Sequence, residues 1–437
     1  MKCDNFQFLD LHFKFMLIGI DASRANRKFK GGSEWYSYYL IRELAKIDSK
    51  NQYILYSDKP LAGGLADLIN ENHSALPGKI NRQGWQEIRS PFNNFRAKIL
   101  KWPFTYFWTL ARLSYEMLLH RPDVLFVPAH TLPLKHPKKS IVTIHDVGFE
   151  RQAELYSADK IGPAGGLAAA IFNFSVKLFT RGKFRPTVID YHSWSTKFAL
   201  KHAKAIIAVS EFTKQEMLEI YQADPLKIKV IRNGFNGQLY RPIKDQEKIQ
   251  QVLSRYGIKP PYIFYVGRLE KKKNTARLVE AYAIMKQKFK NIKHKLVLVG
   301  NAGLDFDEVM YIINEFNLNE EVIITGWVPE AEMPFIYNGA DLFILPSLYE
   351  GFGIPLLEAM ACGTPVAASN IAAIAEVAKG SALLFNPKDK SDLADKMAKI
   401  LLNQELADSL INQGLIRAKD FSLVKCAEET FKVIENL

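Results

Sequence analysis

LPSLYEGFGIPLLEAMACGTPV, from Leu345 to Val366, joins an apolar strand-forming run, a glycine-containing loop and a helix-forming stretch. Pro355 suits the first turn of a helix, because its fixed φ is helical and its missing N–H would have no partner there. Gly363 suits the stop. A helix is therefore expected from about Pro355 to Cys362, with Glu358 in its first turn. Its free amides, with those of the Gly351 to Gly353 loop, would form a site for phosphate oxygens or sugar hydroxyls without any metal. A strand that leads through such a loop into a helix is the repeating unit of a doubly wound α/β sheet.

The unit recurs along the chain. MLIGID (16–21), YILYS (53–57), DVLFVP (123–128), SIVTIHD (140–146), AIIAVS (205–210) and KVIRNG (229–234) form a first series of strands separated by amphipathic stretches. After a polar stretch at 241–250 the pattern restarts with YIFYVG (262–267), KLVLVG (295–300) and EVIITG (321–326). ADLFILPS (340–347), TPVAAS (364–369) and ALLF (382–385) continue it. Strands spaced by helices argue for parallel sheets, and 437 residues exceed what one core fills efficiently. The expected fold class is α/β, with two doubly wound domains at 16–240 and 241–420 facing each other across a cleft. The last segment, 421–437, reads as an amphipathic helix with Phe421, Val424, Phe431 and Ile434 available to pack back on the first domain.

Ligands of such sheets bind beyond the carboxyl ends of the strands, where TIHD, AVS, VGR, LPS and VIRNG place polar residues or glycine. Glu350 and Glu358 would repel a diphosphate, so they are assigned to hydroxyl groups, Glu358 on a ribose and Glu350 on a sugar. Each such contact is a charge-assisted hydrogen bond worth about 1.5–3 kcal/mol. Glu358 alone reads equally well as an acidic residue favoured by the helix dipole. Cations must neutralise the diphosphate, and VGRLEKKKN supplies Arg268 and Lys273 just beyond a strand. Lys271 and Lys272 read as a solvated turn.

Composition narrows the class further. With 48% apolar and 24% charged residues, the chain is an ordinary globular protein. Cys3, Cys362 and Cys426 are too far apart for a zinc cluster and odd in number, so a reducing, cytoplasmic compartment is expected. The longest apolar stretch, Leu167 to Phe179, is too short to span a bilayer. A net charge of +12 attracts polyanions, but the basic residues are dispersed, and no nucleic-acid module is expected. Residues 1–15 carry Asp4 and Asp10 and no cleavage site, so we expect a dispensable extension before a native start at Met16 rather than a signal peptide.

Taken together, EGFGIPLLEAMACGTPV, GRLEKKKN, VIRNG and AVSEFTK resemble glycosyltransferase family 4, the group 1 glycosyl transferases of GT-B fold with two Rossmann-like domains. The resemblance implies Arg268 and Lys273 on the donor phosphates and Glu358 on the ribose. It implies Glu350 on the transferred sugar with the Phe352 and Gly353 backbone, Ile354 beside them, and the base near Trp327 and Val328. IDASRANRKFKGGSEWYSYYL resembles the family's glycine loop, which would bring Gly31 and Gly32 to the donor phosphates or the acceptor; two glycines alone read as a plain turn. A lone histidine is usually structural, but the resemblance implies that His145 bonds the donor sugar; His130 is kept as a candidate acceptor contact. VPAHTLP and TIHD resemble the branch of bacterial mannosyltransferases that build surface polysaccharides.

The implied reaction moves a hexose from a nucleotide sugar, GDP-mannose first and UDP-glucose second, to a glycan or polyprenyl-diphosphate-linked acceptor. Retention of configuration is implied, with a donor phosphate oxygen taking the acceptor proton. No cofactor beyond the nucleotide sugar is expected, and no metal, because no aspartate cluster calls for one. The aromatic and basic segment at 161–190 departs from the family's pattern; it would either touch the inner face of the plasma membrane or pack on the first sheet. A nucleotide-sugar epimerase of similar fold and a silent binding protein are the rivals. A dinucleotide oxidoreductase is disfavoured by the missing G-x-G-x-x-G.

Overall fold

A computed structural model describes residues 15–437 except 71–76, 105, 106, 158 and, between 163 and 186, all but 166, 170, 173, 174 and 177. All but Phe15 of the expected extension at 1–15 and most of the 161–190 segment therefore lie outside the described residues.

The first sheet has the order β3-β4-β2-β1-β5-β6-β7-β8. Its strands are β1 (Leu17–Asp21), β2 (Gln52–Ser57), β3 (Trp85–Glu87), β4 (Phe95–Ile99), β5 (Val124–Val127), β6 (Lys139–Ile144), β7 (Ala205–Ala208) and β8 (Ile228–Val230). All pairs are parallel except β3 with β4. The central runs VLFV and AIIA are buried throughout, as parallel strands covered on both faces must be. No strand was expected at β3 or β4. They carry only three and five residues, and β3 is an antiparallel edge.

The second sheet is wholly parallel, with the order β11-β10-β9-β12-β13-β14. It comprises β9 (Tyr262–Val266), β10 (Lys295–Val299), β11 (Val322–Gly326), β12 (Leu342–Leu345), β13 (Val366–Ser369) and β14 (Leu383–Phe385). The stretch at 241–250, read as a polar break, contributes to the helix Gln246–Arg255, which buries Ile249, Val252 and Leu253 while its other face stays polar.

Two segments of chain cross between the sheets, and they run side by side. Phe235 bridges Ser422 in parallel. A Cβ on Gly234 of the VIRNG stretch would lie 2.4 Å from the backbone nitrogen of Leu423, so the returning chain needs glycine there. Ser422 then caps the final helix, Leu423–Glu435, by accepting from the Lys425 amide. That helix lies on Gly32–Ile47 and adds Cys426, Ala427 and Ile434 to the core around β1, β2 and β5.

Candidate functional site

The carboxyl ends of both sheets face each other. Gly351 is pressed so closely on the chain after β6 that a side chain there would meet the His145 carbonyl oxygen at 1.7 Å. The Gly351 carbonyl accepts from Ser210 Oγ at 2.7 Å and Thr213 Oγ1 at 3.3 Å, so the AVSEFTK stretch of the first half holds the glycine loop of the second. Glu376 receives the Glu211 and Phe212 amides, both at 3.1 Å, at the start of the helix Glu211–Tyr221. A carboxylate there offsets the unpaired N–H groups of the helix end.

At the centre of this contact, Lys273 Nζ lies 2.5 Å from Glu350 Oε1, and Ser347 Oγ donates to the same oxygen at 2.7 Å. The turn Lys271–Lys273 is fastened to the loop after β12. The Leu348 amide donates to the Lys272 carbonyl, and Asn274 Nδ2 donates to the Pro346 carbonyl. Arg268 stands apart at the end of β9, largely exposed, with Nε 3.4 Å from Glu270. The structure thus unites Lys273 with Glu350 and leaves Arg268 extended at the rim.

The helix that follows runs Ile354–Cys362, starting from Gly353 at φ 102° and ending on Gly363 at φ 77°. Both glycines adopt backbone that a side chain would disfavour. Phe352 is buried beneath the loop. Across the cleft, a Cβ on Gly32 would lie 3.9 Å from Ile354 Cδ1, so the start of the helix Gly32–Ile47 faces the start of Ile354–Cys362. Gly31 caps the former, its amide donating to Glu34 at 3.2 Å. Two sets of free helix-start amides therefore border one space.

Glu358 is not in the first helical turn, as expected, but is the fifth residue of the helix. Its carboxylate accepts from Tyr337 OH at 2.9 Å, with the Tyr240 hydroxyl as a second polar neighbour. Desolvation outweighs these bonds and pushes the carboxyl up to about 7. Trp327 remains 40% exposed, and its ring meets Phe29 edge-on at 5.4 Å, while Val328 is buried beside it. Phe29 reaches this point from the loop after β1, a contact the sequence reading did not include.

His145 Nε2 lies 3.0 Å from the Pro128 carbonyl, which can only accept, so Nε2 carries the proton and Nδ1 is left as an acceptor. Burial lowers its basicity and keeps it neutral at pH 7. His130 lies 6.5 Å from His145 and 5.3 Å from His192 between ring centroids. Burial, then the neighbouring His192 and Arg24, push it well below the usual range. Its Nδ1 is buried and makes no hydrogen bond.

Lys272 does not form a solvated turn. Its Nζ lies 3.2 Å from Asp146 Oδ2 and 3.3 Å from Tyr156 OH, with side-chain exposures of 14% for Lys272 and 24% for Asp146. Tyr156 OH donates to the other Asp146 oxygen at 3.1 Å. Burial alone would raise the Asp146 carboxyl, but Lys272 and His130 hold it far below the carboxylate range. Lys271, by contrast, stays half exposed near Asp305. The polar Asp146 in TIHD, two residues past a strand end, was the available signal for this pair.

Among the described residues, no group of three or more His, Cys, Asp or Glu is placed to hold a metal, and no helix is long and apolar enough to cross a membrane. A cavity of about 580 Å³ opens beside the crossovers, lined by Tyr39, Tyr240, Arg241 and Phe421 among others. The Lys273–Glu350 pair does not line it.

Known proteins match this arrangement half by half. Residues 30–238 match the model of Glycosyltransferase Family 4, and residues 244–417 match Glycosyl transferases group 1. The O-antigen chain mannosyltransferase B of Escherichia coli is 27% identical over 320 residues, covering 72% of this chain and 82% of that protein. The serotype-specific mannosyltransferase WbdA of Escherichia coli is 27% identical over 229 residues, 52% of this chain, which spans only 28% of WbdA's length. Sucrose-phosphate synthase from Thermosynechococcus elongatus superposes with a TM-score of 0.69 at 20% identity, over 96% of this chain and 98% of that one. At that identity the likeness concerns the fold. Two mainly parallel sheets meeting at their carboxyl ends, each half matched in chain order, place this chain among the group 1 glycosyltransferases, enzymes of the GT-B fold.

Proposed function

We propose that this glycosyltransferase moves mannose from GDP-mannose to a hydroxyl of a glycan carried on a lipid diphosphate, with retention of configuration and without a divalent cation. The observation that carries the reading is the Lys273–Glu350 contact of 2.5 Å at the mouth of two helix starts. It sets a cation for phosphate beside an acceptor for sugar hydroxyls. Mannose is supported by the relatives named as mannosyltransferases.

In this reading the donor separates the pair. Lys273 turns to the diphosphate, joined by Arg268 swinging in from the rim, by the Phe352, Gly353 and Ile354 amides and by the Gly31 and Gly32 amides. Glu350, still held by Ser347, takes the sugar hydroxyls, and Glu358 takes the ribose. The base rests by Trp327 and Val328. His145 accepts a sugar hydroxyl at Nδ1, and His130 supports the acceptor side through His145. Once the donor has drawn these cations in, the negative charge that builds as the bond from the anomeric carbon to the diphosphate breaks meets groups already in place, so the chemical step needs little further reorganisation. The acceptor oxygen forms its bond on the same face while a donor phosphate oxygen takes its proton. Glu350 orients the sugar and forms no covalent bond to it. Peripheral contact with the membrane that holds the acceptor, on its cytoplasmic side, belongs to the same reading.

The test is nucleoside diphosphate release from a panel of GDP- and UDP-sugars with a lipid-linked acceptor, in the presence of EDTA, with the product's anomeric configuration read by NMR. Release from GDP-mannose alone, giving an α-linked product, is expected. Release confined to UDP-glucose would replace the donor. Loss in EDTA restored by magnesium would overturn metal independence.

A further inference from the structure

We infer that Lys272 and Asp146 are positioning residues for transfer: their ion pair between the halves holds Lys273 and Glu350 in catalytic register when the cleft is closed. This rests on the reading of Lys273 and Glu350 as the donor site.

Lys272 is the immediate neighbour of Lys273, and Asp146 the immediate neighbour of His145. Their contact at 3.2 Å joins the two strand ends on which the reacting groups stand. Tyr156 completes it, with Nζ 4.7 Å above its ring and its hydroxyl bonded to Asp146. The join extends to the glycine loop, since Lys272 accepts from the Leu348 amide and Gly351 is held by Ser210. Tyr349 fits over Gly148, where any Cβ would meet its ring at 2.6 Å. An exposed pair at such a place would contribute little. A largely desolvated pair instead sets which arrangement is permitted, because opening the cleft leaves each charge to find a new partner. The two charges are turned on each other, so the pair acts through its chain neighbours Lys273 and His145 and through the loop that carries Glu350.

The test compares Lys272→Met, Asp146→Asn, the double variant and Lys272→Arg, each well below its own unfolding temperature. It measures kcat at saturating donor and the Kd of the nucleoside diphosphate. We expect kcat to fall about 30-fold in each single variant with Kd changed less than about threefold, the split expected when only transition-state geometry is lost. The double variant should be no slower than the slower single one, because both break one interaction. Lys272→Arg should recover most of kcat, and it keeps the test open should Lys272→Met fail to fold. Unchanged kcat, singles whose effects multiply in the double variant, or a Kd that weakens in step with kcat would overturn the inference. A wild-type protein that binds no nucleoside diphosphate would remove the donor-site reading itself, and this inference with it.

Discussion

Glu358 connects the donor site to pH. Its folded-state carboxyl titrates at about 7, raised by burial between Tyr337 and Tyr240. Between pH 4.5 and about 7 the folded chain therefore keeps a proton that the unfolded chain releases, and this contribution to stability fades as pH rises through 7. A ribose hydroxyl donates more strongly to the ionised form than to the protonated one, so affinity for the nucleotide should move the other way. We expect binding about tenfold tighter at pH 8 than at pH 6, with the dependence reduced in Glu358→Gln, as calorimetric titration at both pH values would show. A slope identical in wild type and variant would remove Glu358 from the ribose. At this scale the sequence exposed what local chemistry decides. Lys273 and Glu350 follow strand ends and precede helix starts, and they meet. Lys272 was misread because its partner lies 126 positions away, and nothing within KKK distinguishes the lysine that turns inward.

At the scale of elements, the loop and helix from Glu350 to Cys362 form the unit on which the site depends. Gly353 starts the helix from φ 102°, and a Cβ there would also meet Ile374 Cδ1 at 2.6 Å. Gly353→Ala should cost about 1–3 kcal/mol in urea unfolding through backbone strain alone, and should weaken donor binding because the amides beside it shift. A variant as stable as the parent would show that the loop has no need of that conformation. The helix was legible because proline and glycine mark its ends. The β4 strand, FRAKI, also alternates, burying Phe95, Ala97 and Ile99, yet five residues of alternation do not distinguish a strand from a loop without their partners in β2.

Across the whole molecule, the halves are joined by two crossovers and a returning helix. The helix Leu423–Glu435 fills the first core although it follows the second sheet in sequence. Deleting 423–437 uncovers Ile434, worth about 1.5–3 kcal/mol by itself, together with the apolar face of Gly32–Ile47. We expect this truncation to lower the Tm of the first half or to aggregate, as thermal unfolding followed by tyrosine and tryptophan fluorescence would report; an unchanged midpoint would mean that the helix is dispensable. The repeated strand pattern made both sheets legible. Their closeness across the cleft was not, because it rests on Gly351 against His145, Glu376 on the helix at Glu211 and Phe29 on Trp327, and each pair is far apart in sequence.

The most direct measurement is calorimetric binding of GDP and UDP to the wild-type protein and to Lys273→Ala. Removing one charge-assisted phosphate contact should cost about 1.5–3 kcal/mol, a weakening of roughly tenfold or more. GDP binding to the wild type, weakened to that extent by the substitution, is the expected result. Equal affinity in both proteins would contradict a donor diphosphate held at Lys273.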